Sequence, residues 1–105
     1  MDIRIILTTL PDAETAQRIG TQLVEERLAA CVNLLPGVTS LYHWQGKMET
    51  ASEVMALFKT TSDLWPSFER RLKELHPYDV PEIIVLKPEA VAESYAQWVT
   101  TEVQA

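Results

Sequence analysis

Cysteine is almost absent from this chain: Cys31 stands alone among 105 residues. One thiol cannot close an internal disulfide, which excludes a disulfide-stapled scaffold and suits a reducing compartment such as the cytoplasm. No apolar run reaches the length of a membrane-spanning helix, so no membrane partner is expected. The start, Met1-Asp2-Ile3-Arg4, enters a strand-like segment directly, without the pattern of a signal peptide. Basic residues are also scarce and scattered, nine Lys and Arg against fifteen Asp and Glu, for a net charge of −6. Nucleic acids and anionic membranes select clustered basic side chains, so neither is an expected partner. The motif vocabulary of catalysis is equally thin. There is no phosphate-binding GxxxxGK loop, no GxGxxG after a strand, no HExxH and no CxxC. The expectation is a protein that is not an enzyme.

What is present is ordinary globular material, 47% hydrophobic and 23% charged, enough for a single domain over residues 1–105. Ile3–Thr9 is a β-rich segment with Ile3, Ile5 and Leu7 on one face and Ile6 on the other. Pro11-Asp12 then opens a helix with Asp12 as N-cap. Ala16, Ile19, Gly20, Leu23, Val24 and Leu28 form its apolar stripe, with Gly20 permitting close approach to a sheet. Residues 30 to 60 predict two strands, bulged at Pro36-Gly37 and turned near Gly46. A second helix is expected from Ser62, with Pro66 in its first turn and Leu64, Phe68, Leu72 and Leu75 as its stripe. Glu82–Leu86 predicts a strand, and Glu89 to Val103 a last helix carrying Val91, Tyr95, Trp98 and Val99. The order is an α+β, ferredoxin-like βαββαβ arrangement with an extra C-terminal helix. Val54–Phe58 and Ile83–Leu86 are apolar on both faces. The helices can cover only one sheet face, so the second face predicts a homo-oligomer with sheets packed inside.

The densest chemistry lies in Lys73–Ile83, KELHPYDVPEI. Pro77 stops the preceding helix and Pro81 launches the next strand, so His76, Tyr78, Asp79 and Glu82 are held between two rigid points. Such a loop is either a stiff connection or a binding site. Imidazole and carboxylate suit Cu(II), and an oligomer can join ligands from two subunits, so His76 and Glu82 are candidate metal ligands. Taken alone, His76 reads more readily as an ordinary loop histidine than as a ligand. Cys31 reads as a small buried hydrophobe, as a ligand for Cu(I) or Zn(II), or as half of a nucleophilic pair with His76 or His43. Tyr42 and Trp44 flank His43 near the hairpin tip and share a face. Lys59 before Thr60 either clamps an anion or ends a strand in solvent.

These pieces together resemble the CutA divalent-cation-tolerance family. The resemblance rests on RLAACVNLLPGVTSLYHWQGK (Arg27–Lys47), Glu53 with Lys59-Thr60, LHPYDVPEI (Leu75–Ile83) and Tyr95 with Trp98, in family order across almost the whole chain. It implies a homotrimer similar in shape to the PII signalling proteins, with clefts between neighbouring subunits. Cys31, Trp44, Lys59, Thr60, His76, Tyr78 and Glu82 carry over as the family's recurring residues. Asp79 stands where the family usually shows glutamate, a carboxylate one methylene longer. The resemblance implies binding of divalent metal, Cu(II) foremost, without a metal needed for folding and without an established catalytic activity. An alternative of another class is a PII-like regulatory trimer. In it Trp44, Lys59, Thr60, Tyr78 and Asp79 line a cleft that senses a small anion and signals to an unidentified protein partner.

Overall fold

The computed structural model describes residues 2–103; Met1 and positions 104 and 105 lie outside the described residues. The elements run β1 (Ile3–Leu10), α1 (Ala13–Glu25), β2 (Cys31–Trp44), β3 (Lys47–Thr61), α2 (Trp65–Leu75), β4 (Ile83–Leu86) and α3 (Glu93–Glu102). The four strands form one antiparallel sheet in the order β2-β3-β1-β4. This is the expected α+β, ferredoxin-like arrangement with an added C-terminal helix.

Alternation along the strands decides what each face meets. Ile6, Leu10, Val54, Ala56 and Phe58 point toward α1 and α2, where they pack with Ile19, Leu23, Phe68 and Leu72. Phe58 and Phe68 meet edge-on, ring centroids 5.0 Å apart. Gly20 allows α1 to sit this low, since a Cβ there would lie 3.1 Å from Val32 Cγ1. The Asp12 carboxylate accepts the Thr15 N–H at 2.7 Å, which satisfies one of the helix's free donors. That bond holds the Asp12 carboxyl below its usual range. Asp12→Ala removes this cap and is expected to lower the urea midpoint with an unchanged m-value.

The opposite sheet face is only partly covered. At one end α3 packs against it, burying Ile3 with Ala96, Val99 and Val103. Beyond that, Leu35, Ile84 and Leu86 stay 42 to 44% exposed, beside half-buried Ile5, Leu7, Met55 and Leu57.

The β2–β3 hairpin gives the molecule its 44 Å long axis. Pro36 and Gly37 together oppose Val54 alone, because the register shifts between Leu35 and Val38, so the strand bulges and continues. Gln45 and Gly46, with φ of 50° and 80°, close a two-residue turn of the primed type that follows the strands' twist. Two helix starts differ from the expectation. Ser62–Leu64 is a turn whose backbone bonds run from Leu64 N–H to Thr61 C=O and from Trp65 N–H to Ser62 C=O, so α2 begins at Trp65. Residues 89 to 92 are not helical: Ala92, with φ −54° and ψ 132°, lies outside the helical region and offers no side-chain cap, and α3 begins at Glu93.

Candidate functional site

Pro77 ends α2 as its chemistry requires. His76 turns extended, with φ −72° and ψ 131°, after donating its backbone N–H to the Leu72 carbonyl. The side chain then folds inward and is 7% exposed. Its Nδ1 lies 3.2 Å from the Tyr78 backbone nitrogen. Since that N–H can only donate, Nδ1 is the unprotonated ring nitrogen and the ring proton sits on Nε2. Nε2 lies 3.0 Å from the Thr9 carbonyl and 3.1 Å from Thr8 Oγ1. Both nitrogens are therefore committed inside the protein, and burial lowers the pKa of the ring against the opposing pull of Thr9 and Glu53. His76 as folded has no lone pair to give a metal. In this conformation the ring braces the loop, and a ligand role for it would require these bonds to break.

What it positions is Tyr78. The phenol donates to Glu53 Oε2 at 2.7 Å, and the ring tilts against His76 with centroids 4.9 Å apart. Burial first, and then the bond to Glu53, push the phenol well above its usual pKa, so it remains a donor. Tyr78 forms one wall of an open cleft of about 420 Å³ lined by Thr9, Tyr42, Trp44, Glu53, Pro77, Tyr78, Asp79, Val80 and Glu82. The hairpin brings Tyr42 and Trp44 over the loop. Three carboxylates face the cleft, from Glu53, Asp79 and Glu82, and no lysine or arginine lines it.

The predicted site residues thus divide into two groups. Trp44, Tyr78, Asp79 and Glu82 meet at the cleft, with His76 behind it. Cys31 and Lys59 lie elsewhere: they face each other across β2 and β3 at the level of Ile5, about 10 Å along the sheet from Thr8 at the usual strand rise. There the Lys59 ammonium donates to the Asn33 side-chain oxygen. Cys31 Sγ lies 3.3 Å from the Tyr95 hydroxyl, a contact that raises the Tyr95 pKa. Thr60 is fully buried and donates to the Leu28 carbonyl at 2.7 Å. It holds the segment after α1 in place rather than lining a cleft.

Cys31, His76 and Glu82 do not gather in one chain, as expected of ligands shared between subunits, and among the described residues no three His, Cys, Asp or Glu side chains converge to hold an ion. Within one chain Lys59 does not line the cleft with Trp44 and Tyr78, so an anion site joining them would need a second subunit. The residues missed as cleft-forming include Glu53, Thr9 and Tyr42. Glu53 had one legible signal, a lone carboxylate beside the apolar run Val54–Phe58, yet it is only 8% exposed.

Comparison with known proteins places this arrangement among relatives. The sequence profile described as CutA1 divalent ion tolerance protein matches residues 4–102. The divalent-cation tolerance protein CutA of Thermus thermophilus is 47% identical over 94 residues, covering 90% of this chain and 91% of that protein. That of Pyrococcus horikoshii is 46% identical over 98 residues, covering 93% and 95%. The crystal structure of CutA from Xylella fastidiosa superimposes with a TM-score of 0.95 at 42% identity, covering 99% of this chain and all of that one.

Proposed function

The chain belongs to the CutA1 divalent ion tolerance protein family, and within it we propose a single-domain subunit of a cytoplasmic, PII-like homotrimer that binds divalent cations. The observation that carries this reading is the acidic cleft: Glu53, Asp79 and Glu82 face one space without a compensating base. Too few donors converge among the described residues of one chain, so the ion's remaining ligands come from a neighbouring subunit. The uncovered apolar sheet face supplies the reason for neighbours to assemble. Cys31 is the borrowed ligand that chemistry favours for Cu(I) or Zn(II), and Cu(II) heads the affinity order for nitrogen and oxygen donors.

A calorimetric titration of the metal-free protein with Cu(II) tests it. Saturable binding tighter than about 1 μM, or roughly −8 kcal/mol, is expected, weakened at least tenfold by Glu82→Gln or Glu53→Gln. Weak heats unchanged in both variants would mean that scattered surface carboxylates bind the ion, and the reading fails.

A further inference from the structure

The cleft is larger and more aromatic than a metal ion needs. Its volume of about 420 Å³ would hold about fourteen waters at roughly 30 Å³ each, and it falls within the roughly 300–1,000 Å³ range of small-molecule sites. Three of its nine lining residues are aromatic, Tyr42, Trp44 and Tyr78. Tyr42 and Trp44 keep 42% and 44% of their surface exposed, so their ring surfaces are free to meet a ligand. Glu53 combines burial with an unfinished hydrogen-bond set. Its Oε2 takes the Tyr78 hydroxyl, while among the described residues Oε1 has no partner and is not sealed from solvent. That leaves Oε1 available to a cationic group that enters the cleft.

We propose that this cleft binds a small organic ammonium ion, the aromatic rings taking its apolar body and Glu53 its charge. An ammonium on an apolar frame satisfies both halves of the lining at once: ring faces attract cations, and the carboxylates supply the counter-charge. An anion of the same size meets three carboxylates and no base. A bare divalent ion would leave the aromatic wall unused and would lack convergent donors in this chain. The inference goes beyond the metal reading and does not depend on it, because every group it uses lies within one chain.

The test is a calorimetric titration of the metal-free full chain with benzyltrimethylammonium chloride, beside sodium benzenesulfonate as an anion of similar bulk. Saturable binding of the ammonium alone is expected. Glu53→Gln should weaken it at least tenfold, and the amide oxygen there can still accept the Tyr78 hydroxyl, which keeps the fold. Trp44→Leu, at an exposed hairpin position, should weaken it several-fold and serves if Glu53→Gln fails to fold. Equal binding of the sulfonate, no saturable ammonium heat, or wild-type affinity in both variants would overturn the proposal. Failure of Cu(II) to bind alongside ammonium binding would sink the metal reading and leave this one standing. Cu(II) binding without ammonium binding would do the reverse.

Discussion

Replacing Ile84 by glutamate is expected to reduce the proposed homotrimer to monomers of 11.9 kDa, a threefold fall in mass measured by sedimentation or light scattering. Ile84 pairs with Leu7 in the sheet and lies on the face that α3 leaves uncovered, 44% exposed in the single chain. Burying an aliphatic side chain of this kind contributes about 1.5–3 kcal/mol, and Leu35, Leu57 and Leu86 lie on the same face. A carboxylate there gains nothing in the monomer and loses little, because β4 is an edge strand and the position meets water. In an assembly the same carboxylate is buried without a partner, at a cost of several kcal/mol per ion, repeated at every symmetry-related contact. The variant should therefore stay folded while ceasing to associate. Gln17→Glu, on the exposed side of α1, adds the same charge and should leave the mass unchanged. An unaltered mass for Ile84→Glu would remove the physical ground for assembly through this face, and with it the borrowed-ligand metal site.

The two-faced apolar pattern behind that prediction was legible in the residues. Val54–Phe58 and Ile83–Leu86 show it because strand alternation is local and needs no knowledge of the partner strand. The bulge at Pro36-Gly37 and the turn at Gly46 were legible for a similar reason, since proline and glycine restrict or free the backbone wherever they stand. The starts of α2 and α3 were less so. Neither has a side-chain cap, and without one a start depends on packing and turn bonds that periodicity does not encode. The cleft was half legible. Pro77 and Pro81 announced a stiff loop, but not which groups it would meet. Tyr78 reaches Glu53 across 25 positions of sequence, and Tyr42 and Trp44 arrive only because the long hairpin carries them there. Lys59 and Cys31 lie apart from this cleft within one chain through register, being paired with each other several residues away along the sheet. An imidazole in sequence is equally a ligand and a strut. Only the partners of its two nitrogens decide.

Those partners make the expected outcome at His76 a matter of stability and pH rather than of metal affinity. His76→Ala should destabilise the protein by roughly 2–4 kcal/mol, combining a cavity in place of the buried ring with a Thr9 carbonyl and a Tyr78 N–H left without their partner. Denaturant unfolding at neutral pH measures it. The pH dependence has a definite sign. The folded pKa is lowered from its ordinary value of 6.5, so below that value the unfolded chain binds a proton that the folded protein resists, and stability rises with pH. The contribution is complete above about pH 6.5 and is lost as the pH falls toward the lowered folded value. Protonation would also turn Nδ1 from acceptor to donor against the Tyr78 N–H, so acid should loosen the loop that holds Tyr78 on Glu53. His76→Gln keeps a polar group in place but cannot titrate, so its stability curve between pH 5 and 8 should be flatter than the wild type's. Copper separates the two roles for the ring. Because neither nitrogen is free, Cu(II) affinity at pH 7.5 in His76→Gln should stay within about threefold of the wild type, less than 1 kcal/mol. A loss of a hundredfold would require the ring to leave Thr9 and turn outward on binding, and the histidine would then be a ligand after all.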